Sequence, residues 1–354
     1  MQHSADSAAL PTDHAFPPLP EAVTSFGAAS VGDWLYVFGG HRGERHEYNA
    51  EDVSGSLHRL NLRDGTSWEK LPSVDPGQSV AIVTDGRSIY RVGGMAAHNH
   101  RGEPQDLRSK DVVARFDGRS RRWLSLPSLP APRSSHDAAV MDGRLYAAGG
   151  WLMPGGTNKP TWHDTMAVLD LRRSGATWTS LPQPFQRRGL AVAALDGRLY
   201  CLGGLDAEGK TSKEVDVFDP RTQTWSKGPG LPDGSMRGFG SAAIAQQGRL
   251  YYSGRSGDLY RLSQQGDAWE KCGRLQHPRF FHRLVPLGTH QLLALGGEGA
   301  AGKLDNLEVL SPEATSASTR LIGPGGLRFA GGGLFLDRSG TPLDRRDVRC
   351  GDEG

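Results

Sequence analysis

Small apolar residues and turn residues follow one another in an order that recurs along most of the chain. A run rich in Ala and Val, such as Ala138–Val140 or Ala191–Ala194, leads into Asp-Gly or Gln-Gly; Leu-Tyr and further apolar residues follow, and the unit closes on a glycine pair. Asp-Gly between two apolar runs is a hairpin signal, because glycine accepts the positive φ of the turn. Four clear copies are "GDWLYVFGG" ending at Gly40, "DGRSIYRVGG" at Gly94, "DGRLYAAGG" at Gly150 and "DGRLYCLGG" at Gly204. Two degenerate copies follow: "QGRLYYSGR" has Arg255 for the second glycine, and "HQLLALGG" has Leu293 for the tyrosine. The first glycines stand at 39, 93, 149, 203, 254 and 296, so the steps are 54, 56, 54, 51 and 42 residues. A period near 50 residues is that of one β-propeller blade.

Each unit continues with a variable loop and an alternating strand, for example "DVVARFD" (Asp111–Asp117), "TMAVLD" (Thr165–Asp170) or "EVDVFD" (Glu214–Asp219). A tryptophan then marks a fourth strand, at Trp68, Trp123, Trp178, Trp225 and Trp269. The glycine pair, the tyrosine three residues before it and the downstream tryptophan resemble the kelch repeat over about residues 14–310. The resemblance implies an all-β, six-bladed propeller with four antiparallel strands per blade. Five units have their own tryptophan and the sixth has none. "FPPLPEA" (Phe16–Ala22) aligns with "WLSLPSLPA" (Trp123–Ala131), with Phe16 for the tryptophan, so an N-terminal strand is expected to close the last blade and remove free sheet edges.

The expected blades are 24–74, 75–132, 133–187, 188–235, 236–278, and 279–310 plus 14–23. Residues 1–13 are expected to be disordered. Residues 311–354 fit no repeat and read as a loosely packed or partly disordered tail with short strands in "TRLIG", "LRFA" and "GLFLD".

Composition narrows the function classes. With 41 basic and 39 acidic residues the formal charge is +2, so no global field favours nucleic acid or an anionic membrane. Three cysteines, Cys201, Cys272 and Cys350, form no C-x-x-C and leave an odd number, which argues against a disulfide scaffold and leaves a reducing compartment as the default reading. No signal-like start and no long apolar run are present, so a soluble cytoplasmic protein is expected.

In such a blade the loop between the second and third strands opens on the same face as the connection to the next blade. This top face carries the candidate chemistry. The inter-blade connections place Arg133, Arg187 or Arg188, Arg237 and Arg279 just before the innermost strands, with His136 and His282 beside them. Guanidinium forks suit carboxylate or phosphate oxygens. Two readings stay open: these arginines hold an acidic small molecule or acidic peptide in the central mouth, or they pair with blade carboxylates and lock the loops. The long top loops add His41, His46, His98, His100 and His163, with Glu47, Glu51, Asp52 and Asp106 nearby. An N/O metal site is conceivable there, but the spacing is not diagnostic, and no cofactor or metal is expected.

Residues 275–310, with Arg279 and "GGEGAAGK" (Gly296–Lys303), resemble the corresponding blade of the bacterial N-acetylneuraminate epimerase family. That resemblance implies an enzyme acting on a sugar acid; separately from it, Glu298, beside an arginine, is a candidate acid or base. The loops "GLDAEGKTSK" and "GRSGD" depart from the family's Gly-Glu-containing loop. A copper radical oxidase would need a cysteine crosslinked to tyrosine, whereas Cys201 and Cys272 fall in or beside strands. "GLDAEGKT" (204–211) fits G-x-x-x-x-G-K-[ST], but an alternating strand follows where a phosphate loop needs a helix, so no nucleotide is expected; Lys210 adds positive charge to the top face.

Overall fold

The computed structural model describes residues 16–232, 238–312, 329–330 and 334–335. Five four-stranded antiparallel sheets and one three-stranded sheet follow in chain order, each running from an inner strand outwards. Blade 1 is Gly27–Val31, Trp34–Phe38, Leu57–Asn61 and Glu69–Leu71; blades 2 to 5 repeat it, with inner strands Ala81–Thr84, Asp137–Met141, Ala191–Leu195 and Ala242–Gln246. Blade 6 contributes Arg283–Leu287, Gln291–Leu295 and Leu307–Leu310. The Asp-Gly turns lie where the repeat places them: Asp142 and Asp196 have φ of 49° each, and Gly143 and Gly197 have 67° and 71°. Two consecutive positive φ values are what the tightest hairpin turn requires.

Apolar side chains from facing blades interleave. One cluster joins Ala28, Leu35 and Leu60 of blade 1 to Val285, Leu293 and Leu295 of blade 6, which closes the ring. The glycine pair serves this packing: a Cβ on Gly149 would stand 2.3 Å from Leu190 of the next blade, and one on Gly296 would stand 2.6 Å from Phe26.

The fourth position of blade 6 is taken by the segment that begins at Phe16. Leu19 N donates to Asp305 O at 2.7 Å, as Leu129 N does to Asp111 O at 2.9 Å and Leu231 N to Lys213 O at 2.8 Å. Trp68 Nε1 donates to Pro17 O, as Trp178, Trp225 and Trp269 donate to Pro127, Pro182 and Pro229 of their preceding blades. Pro17 and Leu19 are therefore in register with Pro127 and Leu129. Phe16 accordingly matches Leu126 and not Trp123, three residues from the expected alignment, because backbone pairing and not aromatic character sets the register. Phe16 still packs on the cluster that joins blades 6 and 1.

Residues 1–313 form one compact unit and 314–354 a second. Within the second, Phe329–Ala330 pairs antiparallel with Leu334–Phe335, inside the expected "LRFA" and "GLFLD". Residues 1–13 lie outside the described residues, as does "TRLIG". Among the described residues no helix is long and apolar enough to cross a membrane.

Candidate functional site

Six residues that precede the inner strands form a ring around the top of the central channel. Ser25, Ser79, Ser135, Gly189, Gly240 and Phe281 all have left-handed φ, between 51° and 66°. Their backbones link blade to blade: Phe281 N donates to Gly240 O, Gly240 N to Gly189 O, Gly189 N to Ser135 O, Ser135 N to Ser79 O and Ser79 N to Ser25 O, at 2.6–3.0 Å. Five of the six N–H groups are spent in this way, so side chains are the main groups that could meet an anion at the mouth.

The sequence placed seven residues at this mouth, and the structure separates them. Arg133, Arg187 and Arg279 lie buried under the loops of their own blades. Arg133 Nη1 donates to Gly149 O at 2.7 Å, and burial pushes its guanidinium down to about 10. Arg187 pairs with buried Asp216 and donates to Ser212 Oγ at 3.0 Å and Glu214 O at 3.1 Å. Arg279 pairs with Glu308 and donates to Gly296 O at 3.1 Å and Asn306 O at 3.2 Å. This is the loop-locking alternative. Arg237 lies outside the described residues.

His136 and His282 stand one residue inside the ring position, level with Phe26, Val80 and Leu190. His136 packs under the glycine pair of blade 2: a Cβ on Gly93 would stand 2.8 Å from its Cε1, the relation Leu190 has with Gly149. Both rings are almost fully buried; neither nitrogen of His282 has a hydrogen-bond partner, and His136 has the backbone of Val92 beside it. Burial pushes His282 down to about 3 and His136 well below the ordinary range; neighbouring Arg133 and Arg283 add to the shift at His136, Arg279 and Arg283 at His282. They are neutral residues in slots that blades 1, 2 and 4 fill with apolar side chains and blade 5 with Ser241, and their rings line the wall of the mouth beside Arg188.

Arg188 is at the mouth. Its guanidinium lies over the Trp151 ring at 4.1 Å and the Phe239 ring at 5.3 Å. No carboxylate among the described residues pairs with it, Nε is buried without a partner, and burial lowers its pKa. Phe239 meets Phe281 edge to face at 5.1 Å, Phe281 lies 4.8 Å from Phe280, and exposed Arg255 lies over Phe280 at 4.9 Å. Half-buried Tyr48, close enough to Arg188 for its hydroxyl to feel that charge, packs with Val53, Met95 and Met153 in the raised loops of blades 1 to 3. The mouth encloses about 50 Å³. Below it, Arg283 crosses to Asp137, Nη1 to Oδ1 at 3.3 Å, above a channel of about 260 Å³ lined by Ala, Val and Ile of the inner strands.

The loop histidines are engaged locally. His41 Nε2 lies 2.8 Å from Glu47 O, His100 Nδ1 lies 2.7 Å from Glu51 Oε1, and His163 Nε2 lies 3.1 Å from Pro132 O; His98 is exposed. Burial and Arg133 push His163 down to about 4. Among the described residues no three His, Cys, Asp or Glu side chains converge. Glu298 accepts from Arg45 Nε at 3.0 Å, in a short arm paired with Lys303. Lys210 sits in an exposed turn whose N–H donates to Asp206 Oδ1 at 2.8 Å, and the strand Val215–Asp219 follows where a phosphate loop would need a helix.

Residues 186–232 match the model of the Kelch motif. Kelch repeat and BTB domain-containing protein 12 of Danio rerio is 27% identical over 66% of this chain and 40% of its own length. Kelch-like protein terF of Aspergillus terreus is 26% identical over 67% of this chain and 50% of its own length. The solved structure of YjhT superposes with a TM-score of 0.65 over 84% of this chain and 97% of that one, at 17% identity. The chain is a kelch-repeat β-propeller. It spans half or less of the length of these two curated relatives.

In this kelch propeller the sequence reading missed Trp151, Phe239, Phe281, Tyr48 and the Arg283–Asp137 tie. A signal was present: "RGFGS" and "RFFHR" put aromatic residues at connections that elsewhere read Ser-Ser or Gln-Ser. Counting from the ring position separates Arg188, one residue before it, from Arg133, Arg187 and Arg279, two residues before it.

Proposed function

We propose that this kelch propeller is a binding module whose top mouth holds an acidic ligand, a small molecule or an acidic peptide or protein segment. Arg188 carries the reading: a cation set on aromatic rings at the mouth, with no carboxylate partner among the described residues. Uncompensated guanidinium in a partly desolvated place favours an incoming carboxylate, which can take the fork in a bidentate geometry. Kelch proteins usually mediate interactions with other proteins, which agrees with a peptide ligand, though fold alone does not fix function. The near-balanced charge gives no support for nucleic acid or membrane partners.

A thermal-shift screen of acidic peptides and sugar acids tests the reading. Hits are expected to raise the melting temperature of the wild-type chain and to lose that effect on Arg188→Gln. Stabilisation by hits that persists unchanged in the variant would remove Arg188 from the site.

A second reading, a sugar-acid enzyme of the N-acetylneuraminate epimerase or mutarotase type, rests on the resemblance of residues 275–310 and has Glu298 as its acid or base. Anomeric or epimeric exchange of any sugar-acid hit, followed by NMR, separates the two. Turnover lost on Glu298→Gln supports the enzyme, and stabilisation without turnover supports the binding module.

A further inference from the structure

Resting on the acidic-ligand reading of the mouth, we infer that the preferred ligand carries its carboxylate on a flat aromatic body, as an aryl-substituted small carboxylic acid does. The two halves of the ring differ in kind. Blades 1 to 3 present Ser25, Ser79 and Ser135, whereas blades 4 to 6 present Gly189, Gly240 and Phe281. The two glycines leave room for rings: a Cβ on Gly189 would stand 2.5 Å from Phe239, and one on Gly240 would stand 2.9 Å from Phe281. Side chains are absent from two ring positions so that aromatic groups can be seated beside the mouth.

Phe239 and Phe281 are half-buried and meet at an interplanar angle of 85°. An edge-to-face pair leaves ring surface available to a third ring, and aromatic contacts of this kind add to what area burial supplies. Arg188, lying over Trp151 and Phe239, offers its N–H edge to a carboxylate. A carboxylate held in that fork places the rest of the ligand next to the rings. Depth is limited, because the mouth holds about 50 Å³ and the Arg283–Asp137 tie closes the channel beneath. A flat body fits over such a mouth where an extended chain would have to thread it.

Ligand-detected NMR and titration calorimetry on the full chain, with phenylacetate, cyclohexylacetate and phenylacetamide, test the inference. Phenylacetate is expected to bind about five- to tenfold more tightly than either analogue. Phe239→Leu removes the preference over cyclohexylacetate, and Arg188→Gln removes the preference over the amide. Melting curves establish that each variant is folded, and Phe281→Leu serves in place of Phe239→Leu if the latter is not. If phenylacetate binds no better than cyclohexylacetate while other acids bind in an Arg188-dependent way, the aromatic inference is overturned and the acidic-ligand reading stands. If no acid binds in an Arg188-dependent way, both fall.

Discussion

Arg283 of blade 6 reaches across the top of the central channel to Asp137 of blade 3, Nη1 to Oδ1 at 3.3 Å. On the way its Nε donates to Phe26 O of blade 1 at 2.9 Å and its Nη2 to Val80 O of blade 2 at 3.3 Å, while Asp137 Oδ2 accepts from Val192 N of blade 4 at 3.0 Å. Two side chains thus tie five blades together and form the floor of the mouth. Burial raises the Asp137 carboxyl, and Arg283 opposes that shift.

Removing one end of this tie leaves the other charge without its partner, which for a fully buried pair typically costs about 3–5 kcal/mol; Arg283 is half-buried, so the cost here falls at or below the low end of that range. Asp137→Ala is expected to lower stability by up to about 3 kcal/mol in urea unfolding. Asp137→Ala with Arg283→Met is expected to lose less than the two single changes added together. Strict additivity would show that the two side chains do not act as a unit.

The two buried histidines predict a pH response. Their pKa values in the folded state lie below the ordinary 6.5, with His282 near 3, so the folded state binds fewer protons than the unfolded one between those limits. Their contribution is fully present above about pH 6.5 and is lost as pH falls below it, down to about 3 for His282, at up to about 1.4 kcal/mol per pH unit for each ring. The charges that face them are Arg133, Arg283 and His163 at His136, and Arg279 and Arg283 at His282. Carboxylates titrate in the same window, so the informative quantity is the difference between wild type and His136→Leu/His282→Leu, which copies Leu190. The double variant is expected to have the shallower loss of stability from pH 6.5 to 4. Equal slopes would contradict the assignment of these histidines as buried and neutral.

Ring closure by the N-terminal segment makes Leu19 equivalent to Leu129. Both are buried, at 4% exposure each. Leu19→Ala is expected to cost about 2–5 kcal/mol, the range for a truncated core leucine, and to match Leu129→Ala. Phe16→Ala, at the start of the segment, is expected to cost less. A silent Leu19→Ala would mean that blade 6 is not completed from the N-terminus.

The fold was legible because hairpin chemistry is local. Asp-Gly fixes a turn within a few residues of where it is read, and the glycine pair recurs at one fixed place in each unit, where the next blade packs closely. The site was legible only in part because the role of an arginine depends on a single step of register. Arg187 and Arg188 are adjacent in the chain, yet one is buried against Asp216 and the other lies over Trp151 at the mouth. The closing segment shows the same limit: Phe16 looked like a substitute tryptophan by residue type, and the hydrogen bonds of Pro17 and Leu19 place it level with Leu126.

That one-residue step also provides the most direct measurement. Arg188→Gln and Arg279→Ala should fail in opposite ways when melting and ligand titration are both recorded for an acid that stabilises the wild-type chain. Arg188→Gln is expected to melt within a few degrees of wild type and to bind the acid at least about tenfold more weakly, the loss of one charge-assisted contact. Arg279→Ala is expected to melt far lower, since it strips Glu308 of a buried partner. Arg188→Gln that binds the acid as tightly as wild type would contradict the account of the mouth.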